Sequence, residues 1–166
     1  MSESLNKLLK KYIENIGQLK ETLDNPKLEF GYRFLYPHNK GRTFLVVKPK
    51  IKNCIEIQTL TKLSPQHVEV LEKYPKEKQN ILFFQIAEFL INNKVHHILN
   101  FKDKLYILID NIFILDEKDI PTINEFKDRI KYLYYTNLQS IKIVIDFCQI
   151  KGDSLEKGDS LRIDWE

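Results

Sequence analysis

The side chains able to do chemistry are few and scattered. Four histidines (His38, His67, His96, His97) and two cysteines (Cys54, Cys148) stand in 166 residues, and none has the spacing of a metal-ligand set. His96 and His97 are adjacent, so on a strand they point to opposite faces and cannot ligate together. Both cysteines lie in apolar-rich stretches, which reads as two small buried side chains rather than a bridge. Asp110 and Asp116-Glu117 are acids near strand ends, a position where metal-dependent enzymes place ligands. Turn and helix-entry chemistry accounts for them as well and is the preferred reading. No catalytic residue, metal or cofactor is assigned.

Five glycines leave no phosphate-cradling loop and no dinucleotide fingerprint. Gly-Asp-Ser-Leu occurs twice, at 152–155 and 158–161, a string that carries the nucleophile in one esterase family. That chemistry needs a histidine and an acid later in the chain, and no histidine follows Ser154 or Ser160. Residues 40–46 resemble an RNA-recognition strand only in the Lys40-Gly41 start and Phe44. The aromatic row Phe30, Tyr32, Phe34 suits either base stacking on an open sheet or, preferably, a core packed under a helix. A hydrolase using unidentified acids stays as a third reading.

Charge is mildly positive, +3 in total, with a net of −3 concentrated in residues 152–166. The basic side chains are 22 Lys against 4 Arg, a poor set for bidentate base or phosphate recognition. Lys and Glu enrichment fits a thermophile, and AT-rich codon usage produces it equally well. A nucleic-acid accessory role would use the Lys-rich stretch 47–62, through Lys48, Lys50, Lys52 and Lys62.

The elements that must position these groups follow from periodicity. Apolar residues from Leu5 to Leu23 recur at helical spacing, which predicts a helix over 4–23, capped by Ser4 and stopped at Asp24-Asn25-Pro26. The period then drops to two. Strands are expected over 28–36, 43–48 and 54–60, joined by short turns into an antiparallel meander. Ser64-Pro65 opens a short helix that Pro75 interrupts, and helix resumes from Lys76 to Asn92-Asn93. That second stretch is apolar around more than half its circumference, which predicts a central buried helix. Strands return at 97–101 and 105–109. Asp110-Asn111 is either a hairpin turn into a strand at 112–115 or a bulge within one long strand. Thr122-Ile123-Asn124-Glu125 is a capping box for a last helix running to about 149, unless 141–147 forms a strand instead. Tyr132 and Tyr135 fall off its apolar stripe and are candidate partner-binding residues.

These elements predict one α+β domain over 1–150: an N-terminal helix, an antiparallel sheet of about five strands interrupted by a central helix, and a long C-terminal helix. Residues 151–166 form an acidic tail. At 43% hydrophobic the chain is too apolar to be disordered, yet its apolar runs are too short to span a bilayer. No leader pattern is seen, so a cytoplasmic protein is expected. The element order resembles the type III secretion chaperone-like fold, over residues 4–149. That resemblance implies a twisted antiparallel sheet with helices packed on it and a homodimer that binds an extended segment of another protein. The first functional expectation is therefore a non-enzymatic, chaperone-like adaptor whose partner is another protein or a second copy of itself.

Overall fold

Gly17 decides how the chain begins. In the computed structural model, which describes residues 2–38 and 40–149, helix α1 (Ser2–Ile16) stops there and strand β1 (Gln18–Thr22) starts. A Cβ on Gly17 would sit 2.4 Å from the Leu35 carbonyl oxygen, so only glycine fits where the helix folds back onto the sheet. The expected helix over 4–23 is thus too long by its last third. Leu19 keeps helical spacing with Ile16, but its segment pairs with a neighbouring strand instead.

The remaining elements are β2 (Leu28–Tyr36), β3 (Arg42–Pro49), β4 (Cys54–Lys62), α2 (Pro65–Glu72), α3 (Lys76–Asn92), β5 (His96–Asn100), β6 (Leu105–Phe113) and α4 (Ile123–Cys148). A short 3-10 turn, Glu117–Asp119, precedes α4. The six strands form one antiparallel sheet in the order β1-β2-β3-β4-β6-β5. The fold is α+β as expected, with six strands where about five were predicted; β1 is the addition.

Both alternatives left by the sequence resolve. Asp110 and Asn111 lie within β6, opposite Ile57 and Glu56, so 105–113 is one unbroken strand. Residues 141–148 continue α4, whose start carries the predicted capping box: Thr122 accepts from the Glu125 amide at 3.3 Å, and Glu125 accepts from the Thr122 amide at 2.7 Å. The repeated string and acidic residues of 151–166 lie outside the described residues.

Helices α1, α3 and α4 cover one face of the sheet. Beneath them pack Phe30, Tyr32 and Phe34 of β2, Phe44 and Val46 of β3, Ile55 and Ile57 of β4, and Tyr106 and Leu108 of β6. The aromatic row is therefore core, and the Tyr32 hydroxyl donates to Asn6 of α1. On the other face a smaller cluster, Leu28, Leu45 and Val47 with Leu23, sits beside the buried polar pair Glu56 and Gln58.

Candidate docking surface

The expectation of a central buried helix from Lys76 to Asn92-Asn93 is corrected: α3 packs by one face, against α4 and the edge strand β5. Only Leu82, Phe83, Ile86 and Leu90 of α3 are buried. Ile81, Phe84 and Ile91 face outward, with Phe84 63% and Ile91 64% exposed. Positions 81, 84, 88 and 91 share one helical face, so these side chains form a stripe interrupted by Glu88. The helix is apolar around more than half its circumference because it carries this outward stripe beside the buried face.

The stripe runs beside an open sheet edge. Two bonds reverse the chain after α3: the Lys94 amide donates to Ile91 and the Val95 amide to Leu90, both at 2.9 Å. Lys94 adopts the left-handed conformation (φ 55°) that such a helix end requires. Strand β5 then returns antiparallel to α3. At its far end Phe101 packs its ring on Phe83 (centroids 4.8 Å apart) and on Phe84 (6.2 Å). At its near end Ile91, Lys94, Val95, His96 and His97 line a shallow groove of about 420 Å³.

The two sheet edges differ in chemistry. β1 carries Lys20 and Glu21, and its register slips between Leu19 and Glu21. Charge and a bulge are devices that discourage a further strand from pairing. β5 reads His-His-Ile-Leu-Asn, with no Lys, Arg, Asp, Glu or Pro, and pairs with β6 without a slip. Its outer edge has no strand partner among the described residues, and Ile98 on it is 52% exposed. Such an edge can accept an extended polypeptide through main-chain hydrogen bonds, with the neighbouring apolar stripe receiving side chains.

Tyr132 and Tyr135 are exposed on α4. The Tyr132 hydroxyl donates to the Asn93 carbonyl at 2.5 Å, which ties α4 to the end of α3. Tyr135 ends a chain of ring contacts running inward through Tyr134 (5.5 Å) and Tyr36 (5.6 Å) to Phe44 (6.2 Å). The structure does not bring the two tyrosines together with the β5 edge as one contact set.

The four lysines differ among themselves. Lys48 is buried, with its ammonium 3.3 Å from Glu29 and 2.6 Å from the Lys52 carbonyl. Lys52 pairs with the buried Glu56 at 2.6 Å, and hydrogen bonding to that carboxylate pushes its pKa up. Lys50 and Lys62 are exposed. Two of the four charges are thus matched by carboxylates within the fold.

The acids noted in the sequence have local roles. Asp110 receives two bonds from Arg129 Nη1, at 3.0 and 2.9 Å. Asp116 caps the 3-10 turn, accepting from the Lys118 amide at 2.7 Å. Both cysteines are buried free thiols, as expected, and burial raises their pKa. No group of three metal-binding side chains converges among the described residues, and no described helix is long and apolar enough to cross a membrane.

The Ser64 cap was expected, but the two polar clusters at His67 and at Asn137 were not. Ser64 caps α2, and its hydroxyl lies 2.7 Å from His67 Nδ1. A hydroxyl beside an imidazole resembles a nucleophile–base pair, but His67 Nε2 is buried with no hydrogen-bond partner, where such a pair needs an orienting group. Burial lowers the His67 pKa. The second cluster joins α4 to the sheet: Arg42 Nε donates to Asn137 Oδ1 at 3.1 Å, and Asn137 Nδ2 donates to Thr61 Oγ1 at 2.6 Å. Next to it Tyr106 and Ser140 share a 2.8 Å bond. Burial pushes the Tyr106 phenol up to about 12, so it holds its proton throughout the neutral range.

A family model described as an uncharacterized conserved protein (DUF2299) matches residues 5–144. No curated protein matches the chain. Among solved structures, the crystal structure of an uncharacterized protein from Methanothermobacter thermautotrophicus is similar, with a TM-score of 0.74 and 20% identity. The likeness covers 86% of this chain and 97% of that one, and at this identity it speaks for the fold alone. The family match spans most of the elements described above, from α1 into the last turns of α4, and the chain belongs to the uncharacterised conserved family DUF2299.

Proposed function

We propose that this protein is a non-enzymatic protein-binding domain, a chaperone-like adaptor that takes up an extended segment of another polypeptide on β5. The observation that carries this reading is the pairing of a charge-free, unblunted edge strand with the exposed stripe Ile81, Phe84 and Ile91 beside it. Main-chain bonds to the edge supply affinity without demanding a sequence, while the stripe and the groove at Val95 select apolar side chains. Residues 1–150 act in this reading as one cytoplasmic domain with 151–166 as its acidic tail. Self-association through Tyr132 and Tyr135 on the exposed face of α4 is part of the same proposal, and an unchanged solution mass after Tyr→Ala at both would remove it.

Affinity capture from nuclease-treated lysate of the source organism tests the main claim. A discrete protein partner is expected on the wild type and lost with Phe84→Asp or Ile98→Lys, both at exposed positions that leave thermal unfolding near native. Equal capture by all three would exclude this surface.

A further inference from the structure

We propose that the resident occupant of the β5 edge is this chain's own C-terminal segment, Leu161–Trp165, which a partner must displace. This rests on the strand-addition reading above and adds its regulation. Residues 160–166 read Ser-Leu-Arg-Ile-Asp-Trp-Glu, polar and apolar in strict alternation. That is the period of a strand whose one face is Leu161, Ile163 and Trp165, with Arg162 and Asp164 on the other.

The ladder of β5 shows which side such an apolar face would meet. His97 pairs with Leu108 and Leu99 with Tyr106, and both partners are core residues beneath the helices. His97 and Leu99 therefore look toward the helical layer. With Ile163 opposite His97 in an antiparallel register, Leu161 meets Leu99 and Trp165 reaches Val95. All three then point to the side where Ile91, Val95 and His97 line the 420 Å³ groove and Phe84 is exposed. One segment closes both the open edge and the uncovered stripe.

The chain can deliver it. Cys148, the last residue of α4, has its thiol 3.9 Å from the His67 carbonyl. Four residues before His67, the Leu63 amide donates to the Lys104 carbonyl at 2.9 Å, and the next residue, Leu105, pairs with Asn100. Helix α4 thus ends at the side of the sheet where β5 finishes, and a segment arriving from there runs antiparallel to β5. Crossing β6 and β5 to a new outer strand takes about 15 Å, and residues 150–160 span up to about 36 Å. Residues 152–166 carry a net −3 in a chain of +3, so the segment is drawn to the rest of the fold. Tethering gives it an effective concentration on the order of mM, which sets the threshold that an outside polypeptide must exceed.

Trp165 is the only tryptophan in the chain, so its fluorescence reads the proposal directly. In the full chain its emission should be blue-shifted, and acrylamide quenching several-fold weaker than for a synthetic peptide of residues 150–166, at every dilution. The double variant Phe84→Asp, Ile91→Asp, its fold checked by thermal unfolding, should restore peptide-like quenching. Peptide-like quenching in the wild type would overturn the inference and leave strand addition by a partner standing. Protection that survives the double variant would overturn it by placing the segment elsewhere. Protection lost on dilution would overturn it in favour of the segment of a second copy. Ile163→Lys should raise partner capture above the wild type. If neither protein captures a partner while Trp165 stays protected in the wild type, the adaptor reading falls and the resident segment stands.

Discussion

Asn137 and Thr61 lie 76 positions apart in sequence, yet the Asn137 amide donates to the Thr61 hydroxyl at 2.6 Å inside the protein. Arg42 reaches both, donating to Asn137 at 3.1 Å and to Thr61 at 3.3 Å. The guanidinium is largely withdrawn from water, and burial lowers its pKa. These bonds fix where along its axis α4 sits on the sheet, since a shift by one turn would take Asn137 away from both Arg42 and Thr61. Asn137→Ala should cost about 1–3 kcal/mol, because it removes two hydrogen bonds between α4 and the sheet inside the protein. Urea unfolding measures this, and a loss below about 0.5 kcal/mol would show that the cluster does not hold the helix.

Phe83 and Phe84 are neighbours with opposite duties. Phe83 is fully buried, while Phe84 is mostly exposed. Phe83→Ala should cost about 3–5 kcal/mol, and Phe84→Ala about 1 kcal/mol or less. Chemical denaturation of the two variants side by side checks this, and equal costs would contradict the helix orientation on which the docking surface depends.

His67 should make the protein acid-sensitive. Its ring is buried and its pKa lowered, so the folded chain binds fewer protons than the unfolded one below pH about 6.5. Stability is therefore full above that pH and declines as pH falls, by at most about 1.4 kcal/mol per unit from this residue. His67→Leu should flatten the pH dependence between about 6.5 and 5. Urea midpoints across that range for both proteins decide it, and parallel curves would assign the sensitivity elsewhere.

Among the lysines, Lys48→Met should destabilise by about 1–3 kcal/mol, because Glu29 and the Lys52 carbonyl lose a buried donor. Lys50→Met and Lys62→Met, both at exposed positions, should change stability by less than about 0.5 kcal/mol. Equal effects at all three would contradict the burial of Lys48. A salt-dependent loss of nucleic-acid binding on combining Lys50→Met with Lys62→Met would revive that alternative.

What the sequence revealed depended on whether local chemistry or distant packing set each feature. The capping box at Thr122 and Glu125 and the proline start of α2 are local, and both were readable. The start of β1 was hidden because Leu19 and Leu23 extend the helical period past Gly17, whose role depends on the distant Leu35 carbonyl. Helix α3 misled in the opposite direction. A pattern apolar around more than half the circumference is the same for a central buried helix and for one with a second, outward apolar face, and only the strand order separates the two. The same holds for the candidate surface. The absence of charge in β5 was visible, but its being an edge was not.

The ladder between β4 and β6 bears on how the proposed docking edge comes to exist. Its partners range from Lys62 with Leu105 to Cys54 with Phe113, separations of 43 to 59 residues, whereas β2, β3 and β4 join through short connections. The early meander closes small loops, but β6 must travel past α2 and α3 before it finds β4, and such distant closures form slowly. β5 joins the sheet through β6 alone, so until this step is complete the meander ends at β4 and β5 is not yet part of the sheet. In the proposed reading the surface that sets β5 beside the stripe on α3 is complete only after this step, so competence to bind there reports finished folding.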